Sequence, residues 1–484
     1  MKKIKAVLTD TSVFRRSYAI CLFLTITSPF LVFAYVALAA VFLWGVFVLF
    51  YHQIKRGTAL RVRFGLWLIL FVVTSVITAI LHFSANIVYD GHNIVMILHS
   101  AICFFIFYGV HTEKHLNFRR ELYSFCRFIV YATTVMGIIG LACLMANIKF
   151  EIMGILFIVH ENRFSGLFTN PNQLGYVSVV AIFCSHMLLK KDFIAISGRE
   201  RVSTIWIASS AAVNGISLLL CDSNGSMLLM MGYIVVYLVY KMFGTERKFT
   251  MRQIVLKSMA SLLAGVVIVG SLFFVRNVTQ MGFSELMKDH KPVVVIEGES
   301  PIPEEGIITF EHQNKNIDSG RFKLWSQAWE MFKHHPVMGI GKGNIYEEGK
   351  KLFESGVKFS ERYGILAPLL TDFHNGYLTI MVCTGAVGFL LFAIFGIRIY
   401  WRLTVNVFRR EGLKESALPC IYAFLCAYLA YAMIEEALLY NIMFTVATYW
   451  LMMGYASCYL TRFEPDHSKG RFTLFGRSLR KTLL

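Results

Sequence analysis

Charge is scarce in this chain: Asp, Glu, Lys and Arg make up 16% of 484 residues, whereas 56% are hydrophobic and the mean hydropathy is +0.58. A water-soluble globular chain carries about a quarter charged residues, so the deficit excludes an ordinary soluble domain and makes lipid the main solvent. Proline is sparse as well, nine in all, so few of the apolar runs contain a helix breaker. None of the ten cysteines has a CxxC partner, and all lie in or beside apolar runs. That excludes a disulfide framework or a cysteine zinc site. An internal repeat is also missing, and with it the two-halves signature of many twelve-helix transporters.

What the sequence does contain is a series of apolar runs near 18–50, 64–83, 92–110, 125–148, 173–189, 203–221, 226–243, 258–275, 376–397, 416–434 and 441–460. Each is long enough to cross a hydrocarbon layer of about 30 Å. The first is too long for one helix, and Ser28-Pro29 divides it, because proline disfavours helix continuation. The expectation is an all-α polytopic membrane protein of about twelve transmembrane helices. The basic N-terminal start, MKKIKAVLTDTSVFRRSYAICLF, lacks a small-residue cleavage site and reads as a retained first helix rather than a removed signal.

The formal net charge of +17 is an orientation signal. With both ends placed in the cytoplasm, 33 of the 47 Lys and Arg fall in cytoplasmic segments; twelve of the other 14 lie in one long segment, 276–374, which can translocate regardless of charge. Basic residues beside apolar spans meet anionic headgroups, and nucleic-acid binding is not expected. The chain divides into 1–275 (helices one to nine), 276–374 (a large extracytoplasmic loop), 375–461 (helices ten to twelve) and 462–484 (a basic cytoplasmic tail). Within the loop, KPVVVIEGESPIPEEGIITFEH reads as two short strands around an acidic turn. Then, near 320–334, Phe322, Trp325, Trp329 and Phe332 recur at helical spacing, an amphipathic helix that either rests at the membrane interface or packs on the bundle.

Three side chains stand out. Arg163, in HENRFSGLFTNPNQLGY, precedes a helix signalled by Asn170-Pro171; it either snorkels to headgroups or binds an anion. Arg321 opens the amphipathic helix, where a guanidinium beside backbone amides suits a phosphate, or it is a solvated surface residue. His374, in LLTDFHNGYLTIMVCTGAVGFLLF, lies where the loop rejoins the membrane. It either takes a proton from a hydroxyl nucleophile or belongs to a polar turn. Asp372 stands two residues away, and Asn375-Gly376 forms a helix start. GIGKGN at 339–344 reads as a tight turn, and Glu435-Glu436 and Asp222 as solvated interfacial acids.

Together, RFSGLFTNPNQLG, SGRFKLWSQAWEMFKHHPVMGIGKGN and DFHNGYLTIMVCTGAVGFLLF resemble the O-antigen ligase and polysaccharide polymerase superfamily. The resemblance covers about 160–395 and implies a glycosyltransferase-C-like fold. It implies an enzyme that transfers or polymerises undecaprenyl-diphosphate-linked oligosaccharide on the outer face of the cytoplasmic membrane. Arg163 and Arg321 would hold the diphosphate and His374 would be catalytic, with Asp372 and Asn375 in support and neither cofactor nor metal. The implied partners are the lipid-linked donor, a glycan or lipid-linked acceptor and the bilayer, with a chain-length regulator and a flippase beside them. A ligase transferring to lipid A core and a lipid-linked sugar flippase are the alternatives.

Overall fold

The computed structural model describes residues 2–27, 31–57, 60–113, 116–152, 155–160, 163–198, 201–244, 250–287, 293–296, 302–303, 321–354 and 372–461. Each of the twelve predicted apolar stretches holds a helix among these residues. They are α2 (Thr11–Leu24), α3 (Leu31–Arg56), α4 (Gly65–Leu81), α5 (Ile87–Ile102), α6 (Phe118–Met145), α7 (Pro171–Leu188), α9 (Thr204–Leu220), α10 (Asn224–Phe243), α11 (Met251–Met287), α14 (Gly376–Arg409), α15 (Leu418–Tyr431) and α16 (Phe444–Thr461). Short helices α1 (Lys2–Leu8), α8 (Lys191–Ser197), α12 (Arg321–His334) and α13 (Ile345–Glu354) complete the set. Helix α5 continues as a π turn and a 3-10 turn to Thr112. The helices α3, α5 with its continuation, α6, α10, α11 and α14 are long and apolar enough to cross a membrane; α4, α9 and α15 are shorter apolar helices. The Ser28-Pro29 division, the acidic turn of the large loop apart from Ile302 and Pro303, and the 462–484 tail lie outside the described residues.

Several of these helices start where a short polar side chain caps them. Asn86, Asn117, Asn170, Ser203, Ser223 and Asn375 each accept a hydrogen bond from a first-turn amide. An amide left bare at the edge of hydrocarbon costs more than one in water, so the caps matter here. Around them the bundle sorts by exposure. The apolar side chains of α11 all remain at least partly open to the outside, as befits a helix that faces lipid, whereas α15 and α16 are almost wholly buried around Trp450.

Three features were not legible as local patterns. A five-stranded sheet joins the helices, in the order β3-β2-β1-β4-β5, from β1 (Ile148–Ile152), β2 (Ile155–His160), β3 (Arg163–Gly166), β4 (Val293–Ile296) and β5 (Ile302–Pro303). Of the two strands expected in the large loop, the first is β4; β5 falls within the expected turn, and the second expected strand lies outside the described residues. Strands β4 and β5 attach through the parallel β1–β4 pair to a hairpin with no distinctive sequence pattern. Helix α11 continues to Met287, twelve residues beyond the predicted end of its span. Helix α12 buries Leu324, Gln327, Ala328 and Met331, while Phe322 and Trp329 are exposed. Trp325 and Phe332 are half-buried, so the aromatic ridge is split between the outside and the bundle, and the face of Leu324, Gln327, Ala328 and Met331 seats the helix on α14.

That seat has a specific construction. Helix α14 breaks at Gly385 (φ 64°, ψ −170°), and the segment after α12 enters the break. Ile340 and Gly341 donate from their amides to Val382 and Cys383, and Ala386 and Val387 donate back to Pro336 and Val337. A Cβ at Gly385 would lie 2.2 Å from the Val337 carbonyl oxygen, and one at Gly339 2.5 Å from the Gly385 nitrogen. Only glycine fits at either place. The GIGKGN turn is therefore a plug between helices, with Gly343 donating to Asn93 Oδ1 and Asn344 to the His82 carbonyl.

Candidate active site

The first residues of α14 are held tightly. Asn375 caps the helix through Tyr377 and Leu378, and the Gly376 amide donates to the carbonyls of Ala432 and Glu435 in the α15–α16 connection. His374 therefore sits against residues 432–436 in a left-handed conformation (φ 46°), and its amide donates to Asp372 Oδ1 at 2.7 Å. Such a conformation is costly for a residue with a Cβ and persists where surrounding structure enforces it.

Glu435 is the hub. Its Oε2 lies 3.3 Å from His374 Nδ1, and its Oε1 accepts from Arg321 Nη2 at 3.2 Å; Arg321 Nε donates to the Ile434 carbonyl at 3.1 Å. The hydrogen bond to Glu435, aided by Asp372 and opposed by partial burial, lifts the His374 imidazole to a pKa of about 9. At neutral pH it is a cation. The side chains of Arg321 and Glu435 are mostly covered, whereas that of His374 is 39% exposed. The ring thus faces an opening.

Behind this trio lies a second, buried group. Lys342, from the plug, meets Glu436 at 2.5 Å, with residue exposures of only 6% and 5%. Glu436 also hydrogen-bonds to Asp372. Burial, reinforced by the Asp372 charge, pushes the Glu436 carboxyl up to about 8 in spite of Lys342. Burial also opposes the Asp372 charge, but His374 and Lys342 outweigh it and hold that carboxyl below its ordinary value. One negative charge shared by Asp372 and Glu436 thus balances the Lys342 ammonium.

Arg163 is the first residue of β3. It turns inward, donating from Nε to the Cys221 carbonyl at 3.0 Å and from Nη2 to Asn172 Oδ1 at 2.6 Å. Beside it, Arg276 of α11 pairs with Asp222 at 3.1 Å and donates to Asn224 Oδ1. This cluster surrounds the start of α10, where a Cβ at Gly225 would stand 3.5 Å from Glu435 Oε1. Residues 221–225 thus link the two arginine groups.

Of the residues singled out from the sequence, Arg321 and His374 meet through Glu435, and Arg163 adjoins them across the α10 start. Asp372 braces the His374 backbone while Glu435 faces its ring. Asn375 serves as a helix cap. Five participants were passed over or set aside: Lys342, Glu435, Glu436, Arg276 and Asp222. A usable signal existed for the acidic pair, since Glu435 and Glu436 are the only charged residues between positions 416 and 461, and ionisable groups inside apolar stretches mark function.

Residues 209–393 match the O-antigen ligase family model. The stretch runs from α9 into α14 and includes Arg276, Arg321, Lys342, Asp372 and His374. The match bears out the resemblance to the O-antigen ligase and polysaccharide polymerase superfamily. No curated protein matches the chain in sequence.

Proposed function

We propose that this multi-pass membrane protein, with its O-antigen ligase domain at 209–393, is a glycosyltransferase. It polymerises undecaprenyl-diphosphate-linked repeat units on the outer face of the cytoplasmic membrane. The observation that carries the reading is the charge of the site. Five basic side chains (Arg163, Arg276, Arg321, Lys342 and His374) gather with four acidic ones, Asp222, Asp372, Glu435 and Glu436. The cluster is basic in excess, and a diphosphate diester carries one negative charge on each phosphorus. Near-neutral pairing in a partly buried site favours such an anion without a general positive field.

The geometry supports a division of labour. Arg321, Arg163 and Arg276 neutralise the diphosphate as the anomeric C–O bond breaks and its electron pair leaves with the lipid diphosphate. The His374 imidazolium adds a donor at the exposed mouth. This revises the part expected of His374: an imidazole titrating near 9 is a poor base at neutral pH. Glu435, lying between His374 and Arg321, is the carboxylate that accepts the acceptor hydroxyl's proton, as a carboxylate does in inverting glycoside chemistry. The new glycosidic bond forms by one displacement, with inversion.

The test is purified protein with a defined undecaprenyl-diphosphate repeat, product length being read on a gel. A ladder of lengths is expected from wild type, and Glu435→Gln should lower kcat by about 100-fold or more. A single addition to a terminal acceptor would replace the polymerase reading with a ligase. Wild-type-like product from Glu435→Gln would remove Glu435 from the mechanism.

A further inference from the structure

Arg321 and Lys342 belong to one continuous stretch of chain, and the carboxylates they meet are neighbours, Glu435 and Glu436. Consecutive side chains diverge. Glu435 therefore faces Arg321 and His374, and Glu436 faces Lys342 and Asp372. Between the two cations the chain passes through the break in α14, where four backbone hydrogen bonds fix it. Contacts therefore run without interruption from Lys342 to Glu436, from Glu436 to Asp372 and from Asp372 to the His374 amide.

A buried ion pair is a weak device for stability, since apolar residues of similar volume commonly do as well. What it supplies is direction. Lys342 ends at Glu436, the carboxylate that braces Asp372. The αL backbone of His374 needs enforcement of this kind.

We infer that Lys342 and Glu436 are positioning residues for glycosyl transfer, bracing Asp372 so that the His374 backbone stays in its left-handed turn and its ring stays against Glu435. This rests on the proposed transfer reaction. The groups facing the His374 imidazole are Glu435 from the α15–α16 connection, Asp372 from its own segment and Arg321 from α12. Of these, Asp372 depends on Lys342 and Glu436. Without Lys342, the two buried carboxyls take up a proton, and the imidazolium keeps only Glu435 as counter-charge.

The experiment measures kcat, donor KM and the pH profile of transfer for wild type, Lys342→Met, Glu436→Leu, Glu436→Gln and the double variant Lys342→Met/Glu436→Leu, with Tm recorded for each. Glutamine at 436 can accept from Lys342 and donate to Asp372, so Glu436→Gln should keep kcat within about threefold of wild type. Lys342→Met and Glu436→Leu should lose about tenfold or more in kcat, as misplaced groups do. Their donor KM should change by less than about threefold, and the alkaline limb of the profile should move down by about half a pH unit or more. The double variant leaves no unpaired charge at 342 or 436, so it should fold as well as wild type but still show the low kcat. Full kcat and an unmoved profile in the folded double variant would overturn the inference, as would Glu436→Gln as impaired as Glu436→Leu. Absence of transfer by wild type overturns the functional reading itself, and the inference with it, a failure visible before any variant is compared.

Discussion

At the residue scale the account turns on the protonation of His374. Its ordinary value is about 6.5; in the fold it is held near 9 by Glu435 and Asp372. The pairing therefore stabilises the folded site fully below about 6.5 and ceases to do so as pH rises through about 9. If the imidazolium is the working form, kcat falls over the same rise, with its midpoint near 9. Replacing Glu435 by Gln removes the anion responsible, so a titration of His374 followed by NMR should move down, toward the ordinary range. A midpoint unchanged by that substitution would assign the shift to another group. Arg321 and His374 were legible from sequence because their motifs are local. Glu435 and Lys342 were not, because a lone acid beside a helix end and a lysine in a glycine-rich turn acquire meaning only from partners about sixty and ninety-four residues distant.

At the scale of elements, the period of α12 and the cap of α14 could be read directly, and both helices appear where expected. The face that α12 buries could not. Of its aromatics, Phe322 and Trp329 lie outside while Trp325 and Phe332 are half-buried, and the choice was made by the narrow seat on α14. The run 376–397 reads as one uninterrupted helix, whereas Gly385 breaks it to receive residues 336–341. That break is a packing decision between distant segments. Its consequence is measurable: Gly385→Ala adds a Cβ 2.2 Å from the Val337 carbonyl in a conformation that suits only glycine, and should cost about 2 kcal/mol or more. In detergent this appears as a lowered Tm together with reduced transfer, since α12 carries Arg321. A Tm within error of wild type would mean that the plug is not held by the break.

For the whole molecule, hydropathy locates the helices: each of the twelve expected stretches holds one, and six helices among the described residues are long and apolar enough to cross a membrane. The hairpin β1–β2 and the strand β3 escaped notice because short apolar segments beside long ones carry no distinctive period, although β3 is what aims Arg163. Everything in the proposed site gathers at one end of the bundle, at the starts of α7, α10 and α14 and the ends of α11 and α15. The positive-inside count assigns that end to the outside. A reporter active only beyond the cytoplasm should therefore score when fused after Glu354 and stay silent after Lys414; the reverse pattern would invert the molecule. The most direct test of the central claim is the release of undecaprenyl diphosphate from a purified lipid-linked repeat, counted against glycosidic bonds formed. The account predicts one lipid diphosphate for each bond with wild-type protein, and a loss of both by about 100-fold with Arg321→Ala. Full release and bond formation by a correctly folded Arg321→Ala protein would contradict it.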